Sequence, residues 1–392
     1  MPLPGDADYW TKIRDQFMLD KNSVFFNPGT VGAMPRVVVE KMSDHLKYIA
    51  THVTDWAYLD DNKEEFISGY NNLMGIRTKV GKLINANASE IAMTDNVTHS
   101  MSYLANGITL KPGEEVLTTN QEHGGGQSSF KVKAKRYNSG FRMVTIGKPI
   151  KNAAEVYDAI INAIRPETKV IMVSHIISGS GAILPVKEIC TEARRRGIIT
   201  ILDGAQTIGQ IKVDVQDIGC DAYVGCFHKW IGAPAGTGFM YARPEVMKEI
   251  WTTVASSQWD NHDDEGFRFT QRGTGSFPIL KGLDAALDFH NEIGPERVCA
   301  RIKELGLRLR TGLRQIKNVK IFSPEDEAMC AGISVYNIQG ITGAKMQEEF
   351  WKQGRMRPRS MGPDFGVRHC THIFNSESEI DKALDIVRRL AV

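Results

Sequence analysis

The sequence predicts an α/β domain built on a mostly parallel sheet with helices on both faces, followed by a smaller C-terminal α+β domain. Three observations carry this. Between residues 115 and 241, short apolar strand patterns alternate with helical patterns, the signature of βαβ units. One of those strands, Ile198–Leu202 (IITIL), is a continuous apolar β-branched run, as expected of a strand covered on both faces. In the last third of the chain the alternation gives way to long amphipathic helices and isolated strands.

Taken in order, Glu115–Thr119 and Arg142–Ile146 read as buried strands. Ala154–Ile164 has helical spacing and Lys169–Val173 follows as a strand. Pro185 opens a helix over Val186–Arg196, and Gly197 ends it. Strands follow at Ile198–Leu202, Asp221–Gly225 and Gly238–Tyr241. Ser256–Phe269 is the most loop-like long stretch, either an active-site loop or a surface insertion. Ile279–Gly294 and Pro295–Ile316 are two long helices broken at Gly294-Pro295. The basic residues Arg301, Lys303, Arg308, Arg310 and Arg314 read as a solvated face of the second. Gly332–Ile338 is a strand, Ala344–Gln353 a helix, Val367–Ile373 a strand and Glu377–Leu390 a final helix.

Composition narrows the function classes. The 392 residues carry 48 Lys+Arg against 46 Asp+Glu, so nothing suggests a nucleic-acid partner or a polybasic membrane surface. No apolar run reaches the roughly 18 residues of a membrane span. The six cysteines are scattered with no CxxC pair, which suggests neither zinc nor a disulfide scaffold and fits reduced thiols. The first ten residues have no apolar core and no basic cluster, so a signal peptide is not expected and a cytoplasmic location is. Two Gly-rich stretches, Ser178–Ile183 and Gly232–Phe239, lack the Gly-Lys-Ser/Thr ending of a P-loop. The chain has no HExxH and no GxSxG.

The most informative segment is Ile201-Leu-Asp-Gly-Ala-Gln206, with Tyr223-Val-Gly-Cys-Phe-His-Lys-Trp230 after it. Asp203 ends a buried strand, at the sheet edge where α/β proteins bind ligands. Lys229 ends the next strand. A buried carboxylate needs a positive partner. A crevice lysine can form Schiff bases. An aspartate beside a lysine Schiff base is what pyridoxal phosphate requires, because the acid keeps the pyridine nitrogen protonated. On these residues alone, a buried Asp–Lys ion pair is the simpler reading and the cofactor site the alternative.

DGAQ, then HKW, then a Gly-rich turn resembles the class V aminotransferase family of fold type I pyridoxal phosphate enzymes, over nearly the whole chain from about Phe25. That resemblance implies a mostly parallel, seven-stranded sheet. It also implies three parts: an N-terminal segment (1–34) at the substrate entrance, a large cofactor-binding domain (35–275) and a small C-terminal domain (276–392). Pyridoxal 5′-phosphate is the implied cofactor, with Lys229 as the Schiff-base lysine, Asp203 on the pyridine nitrogen and Gln206 near the phenolic oxygen. Cys226 and His228 fall where the family contacts the phosphate. Thr94-Asp-Asn-Val-Thr-His-Ser100 resembles the phosphate cup, with Val97 and Thr98 at a helix N-terminus. Glu122-His123 matches the family's EH, placing His123 on the ring face. Ser178 stands where the family usually has asparagine. Gln271-Arg-Gly-Thr274 resembles the segment whose threonine reaches a partner subunit's phosphate, implying a homodimer with shared active sites.

At the substrate end, Arg368-His-Cys-Thr-His-Ile-Phe-Asn375 matches the family's late arginine signature. Arg368 is therefore expected to hold the carboxylate of an amino-acid substrate, and Asn27 to touch it. Arg355, Arg357 and Arg359 either shape the side-chain pocket or form a surface cluster. Cysteine desulfurases carry a persulfide-forming cysteine on the loop before this strand; Arg355–Phe365 contains none, which argues against that activity. The opening PGT segment, HKW and VRHCTHIFN look most like the isopenicillin N epimerase branch, which includes C–S lyases. Epimerase, lyase and transaminase outcomes stay open, as does a catalytically silent binding protein. The presence of Lys229 with Asp203 and His123 favours catalysis.

Overall fold

Seven strands hydrogen-bond in the order Ile91–Thr94, Gly238–Ala242, Ala222–Cys226, Ile199–Asp203, Thr168–Ser174, Glu115–Thr119 and Gly140–Val144. Gly238–Ala242 is antiparallel to both neighbours; every other pairing is parallel. The computed structural model describes residues 6–52 and 72–392. Residues 1–5 and 53–71, which fall within the expected N-terminal segment and large domain, lie outside the described residues. The central strands read as apolar runs because helices cover both faces: Val170, Ile171, Met172, Val173, Ile201 and Leu202 are all fully buried.

The order of the strands creates the site. From Glu115–Thr119 the chain goes to one side, to Gly140–Val144, and then returns to the other, to Thr168–Ser174. The turns after Thr119 and Ser174 therefore leave the sheet in opposite directions and open a crevice at the carboxyl ends of the strands. Asp203 ends one of these adjacent parallel strands, and His123, Ser178 and Lys229 lie just past the carboxyl ends of others.

A four-stranded antiparallel sheet, ordered Arg359–Ser360, Val367–Cys370, Ile333–Ile338 and Val319–Ile321, forms the second layer. The helices Pro295–Arg314, Gly343–Gly354 and Glu377–Leu390 pack on it through Leu305, Leu309, Phe350, Ile380 and Leu384. Val24–Phe25 pairs in parallel with Met356–Arg357, which carries the N-terminal segment to this sheet. Trp10 and Phe17 pack in a buried cluster with Trp230 and Ile333, so the segment also reaches the turn bearing Lys229. Among the described residues, no helix is long and apolar enough to cross a membrane.

Most strand and helix expectations hold within about two residues, the usual uncertainty of element ends. Four differ for identifiable reasons. The strand expected to be buried at Arg142–Ile146 is Gly140–Val144, half-buried with Met143 exposed, because it is the edge strand of the sheet. Val367–Ile373 stops as a strand at Cys370, because the Asn375 side chain accepts the His372 N–H and turns the chain. The loop expected at Ser256–Phe269 contains the start of a helix, Glu265–Thr270. Asp264 caps it by accepting the Phe267 N–H at 3.0 Å, and the fully buried Arg77 fixes Asp264 in turn. The basic face on Pro295–Arg314 is only partly solvated. Lys303, Arg308 and Arg314 are exposed, but Arg301 and Arg310 are buried. Arg301 makes a bidentate pair with Glu377 at 2.6 and 2.9 Å, and Arg310 bonds Glu327 and the Ala331 carbonyl. Glu377→Gln should cost about 1.5–3 kcal/mol, since it weakens a charged hydrogen-bond pair on a buried guanidinium. A denaturant midpoint equal to that of the unsubstituted protein would contradict this.

Candidate active site

Asp203 ends its strand almost completely buried, at 4% exposure. Its Oδ1 accepts the Ala205 N–H at 2.9 Å. Burial pushes its pKa up, and the Ala205 N–H bond and then the charge of Lys229 oppose the shift. Among the described residues no cation makes a contact ion pair with it, so the Asp–Lys ion pair is not what the structure builds. Gly126 faces the carboxylate: a Cβ there would stand 2.9 Å from Asp203 Oδ2. Glycine thus keeps room beside the acid.

Lys229 sits in the turn after Ala222–Cys226 and is partly buried. Among the described residues its amine has no hydrogen-bond or ion-pair partner. The turn is clasped by the N-terminal segment, where the Gly32 N–H donates to the His228 carbonyl at 2.7 Å. Any Cβ on Gly32 would lie 1.8 Å from the Lys229 carbonyl oxygen, so only glycine permits this approach.

His123 caps the helix Gly124–Tyr137, its Nδ1 accepting the Gly125 N–H at 3.1 Å. That bond leaves Nε2 to carry the proton of the neutral ring. Burial, and then Lys229, lowers its pKa. Behind it, the buried Glu122 accepts from Thr119 Oγ1 and the Ser174 N–H, and burial raises its pKa to about 7. Across the turn, Thr98 Oγ1 would stand 2.9 Å from a Cβ on Gly125. Val97 and Thr98 open the helix Val97–Gly107, capped by Asn96. No acceptor among the described residues takes their N–H groups.

The other expected residues fall into two sets. Gln206, Ser178, Asn27 and Arg368 form one network. Arg368 is fully buried and donates to Ser178 Oγ at 2.8 Å, the Ser178 carbonyl at 3.2 Å, Asn27 Oδ1 at 3.1 Å and Thr30 Oγ1 at 3.2 Å. Its Nε has no partner. Every one of these acceptors is neutral, an unusual setting for a buried guanidinium. Gln206 donates to the Gly29 carbonyl and Ser178 Oγ and accepts from Trp230 Nε1, so it braces this network. Ser178 likewise turns to Arg368. The second set is less connected. Cys226 is buried with its thiol on the Ala205 carbonyl, and burial pushes its pKa to about 11. His228 is partly buried with Nδ1 unpartnered. Thr274 is exposed, and within the single chain no hydrogen bond joins it to the others.

Thr30 joins this network and was not singled out by sequence; Arg359, expected either in the side-chain pocket or in a surface cluster, is exposed and reaches its edge. Arg359 donates to Thr30 Oγ1 at 3.4 Å and faces Arg368 across the strand pair. Arg355 and Arg357 instead stack on Trp351 at 4.4 and 4.5 Å, away from this network. The signal for Thr30 was its place in the N-terminal Asn-Pro-Gly-Thr segment beside Asn27.

Pyridoxal 5′-phosphate needs an acid for its ring nitrogen, an amine for its carbonyl and N–H donors for its phosphate. The residues fit: a buried carboxylate lacking a contact cation, an unpartnered amine nearby, and a helix N-terminus with two free N–H groups and an orphaned buried His228 Nδ1.

Comparison with known proteins gives the same frame. The family model described as aminotransferase class-V matches residues 23–380. Isopenicillin N epimerase of Streptomyces clavuligerus is 26% identical over 398 residues, covering 97% of this chain and 98% of that protein. A probable cysteine desulfurase of Methanothermobacter thermautotrophicus is 27% identical over 337 residues, covering 84% of this chain and 81% of that one. A solved structure of a C-DES variant, with glycine covalently linked to its PLP cofactor, matches with a TM-score of 0.84 at 25% identity. It covers 96% of this chain and 98% of its own.

Proposed function

The chain belongs to the class V aminotransferase family, and we propose that it is a pyridoxal 5′-phosphate enzyme acting at Cα of an amino acid or amino-acid derivative, by epimerisation or by β-elimination of the C–S lyase kind. The observation that carries this is the placing of the unpartnered Lys229 amine and the buried Asp203 carboxylate at neighbouring strand ends, beside His123. The similarity to an isopenicillin N epimerase along nearly the full length of both chains supports the choice of reaction.

When bound, pyridoxal 5′-phosphate supplies an electron sink that stabilises negative charge at the substrate's Cα. Asp203 would hold the protonated ring nitrogen, Lys229 the carbonyl carbon, and the Val97 and Thr98 N–H groups, with His228, the phosphate. Gln206 keeps Gly29, Ser178 and Trp230 in register behind them. Arg368 receives the substrate carboxylate, and that anion supplies the charge its four neutral acceptors do not. Held there, the substrate presents its Cα proton to Lys229 Nζ, the base of the reaction. In a homodimer, Thr274 would complete the phosphate site of the partner subunit. A persulfide-carrying cysteine is missing from Arg355–Phe365, and Cys370 is fully buried in a strand with Sγ against Gly29. That arrangement disfavours desulfurase chemistry.

The test is to incubate the protein with pyridoxal 5′-phosphate, reduce with borohydride and map the labelled peptide. Labelling at Lys229 is expected; a colourless, unlabelled protein would sink the proposal. Amino acids in deuterated buffer then separate the reactions. Deuterium at Cα with inversion marks epimerisation, and pyruvate with a released thiol marks elimination. Accumulation of pyridoxamine phosphate would instead assign a transaminase.

A further inference from the structure

We propose that the chain has a second ligand site, separate from the candidate active site, which takes an amphipathic carboxylate: an apolar body ending in one acid group. The site is the cavity under the elbow between the helices Phe277–Ile293 and Pro295–Arg314. None of the residues lining it belongs to the cofactor or substrate sets described above.

The cavity has a volume of about 790 Å³. That falls within the roughly 300–1,000 Å³ of small-molecule sites. Its walls come from the helix Met74–Ile84, the segment after Ile199–Asp203 and the elbow itself. Leu83, Ile208, Ile211, Val213, Ile293 and Pro295 make those walls apolar. Two of the walls are fixed by the backbone. Gly209, at φ +86°, presses on the turn behind it, where a Cβ would stand 3.1 Å from the Trp230 carbonyl oxygen. Gly294, at φ +96°, turns the chain from one helix into the next. The opening is therefore built by the fold rather than by the rotamer of one side chain.

One polar group interrupts the apolar lining. His290 faces the cavity, is only 4% exposed, and its ring has no hydrogen-bond partner among the described residues. A buried polar group left unpaired costs stability, so a ligand atom that pairs with it recovers that cost. Burial lowers the His290 pKa to about 4, so the ring is neutral near pH 7 and carries one N–H. A single N–H in an apolar cavity suits a single acceptor group. The charged residues at the cavity decide its sign. Lys82, Lys212 and Arg297 line it against Glu296 alone. Lys82 and Lys212 are exposed and make no salt bridge with a described residue, and Arg297 donates to the neutral Tyr9 hydroxyl at 3.1 Å. Exposed lysines need no counter-ion, but three cations against one acid favour an anion entering between them. A carboxylate satisfies both the His290 N–H and this charge, and the apolar walls take the rest of the molecule.

The probe is decanoate, titrated by calorimetry into the cofactor-loaded protein below its micellar concentration, with decanol and decylamine as controls of equal chain length. One decanoate per chain is expected, bound at least about tenfold tighter than the alcohol or the amine. His290→Leu should weaken decanoate by about tenfold or more, because a hydrogen bond to a charged group is lost. That variant should melt no lower than the unsubstituted protein, because an apolar side chain replaces an unpartnered buried imidazole. Lys82→Glu combined with Lys212→Glu should weaken decanoate and leave decanol unchanged. Arg368→Gln should leave decanoate binding unchanged; a loss there would put the probe in the active site and overturn the proposal. Equal binding of the three probes would overturn it too, as would decanoate binding that survives His290→Leu or never saturates.

Discussion

Lys229→Ala is expected to abolish covalent cofactor attachment and to lower turnover by on the order of 10⁴-fold or more, because general-base catalysis alone contributes about 10²–10⁴. The variant should fold normally. Lys229 is partly exposed, and its amine bonds nothing among the described residues, so truncation breaks no hydrogen bond or ion pair and leaves no buried partner unsatisfied. Two readouts separate the roles of the amine. Borohydride treatment should leave no label on the peptide that contains residue 229. Added primary alkylamine should restore part of the turnover, because a free amine can enter the space left by the side chain and take the Cα proton. Label found on another lysine would reassign the attachment site. Full activity without added amine would remove Lys229 from the mechanism.

How far the site could be read from the sequence depends on how local each signal is. The Asp203 strand was legible because burial on both faces writes a continuous apolar run, and an acid at its end stands out. Lys229 followed by the same logic one strand later. The network around Arg368 was only half legible. Asn27 came with a motif, but which of Arg355, Arg357 and Arg359 lies beside Arg368 depends on which residues a hairpin places opposite each other, and periodicity does not set that register. Arg301 and Arg310 were misjudged for a related reason. A cation on a helix looks solvated until its acid is located, and Glu377 is far along the chain from Arg301. The helix in Ser256–Phe269 was hidden likewise, since Asp264 is fixed by Arg77 from a distant part of the sequence. Gln206 was assigned to the cofactor ring by resemblance, whereas in the single chain its donors are spent on Gly29 and Ser178.

Asp203→Asn tests the electron sink. The amide is close to isosteric with the carboxylate, and its oxygen can still accept the Ala205 N–H. The charge is lost. In the protein as described, burial raises the Asp203 pKa while the Ala205 N–H bond and the charge of Lys229 oppose the shift. A protonated ring nitrogen brought against Asp203 acts in the same direction as Lys229, because a positive neighbour favours the ionised acid. The ionised acid, reciprocally, keeps that nitrogen protonated. An asparagine offers no such charge, so the ring should lose its proton and much of its capacity to accept electrons. Turnover is expected to fall by about 10³-fold, or ~4 kcal/mol of barrier, while borohydride still labels Lys229. Retained labelling with lost turnover separates the electron sink from cofactor binding. Asp203→Glu should not rescue, because the longer side chain moves the carboxylate off the position that the Ala205 N–H fixes at 2.9 Å. Turnover within tenfold of the unsubstituted enzyme in Asp203→Asn would mean that the acid at the end of this buried strand serves the fold alone.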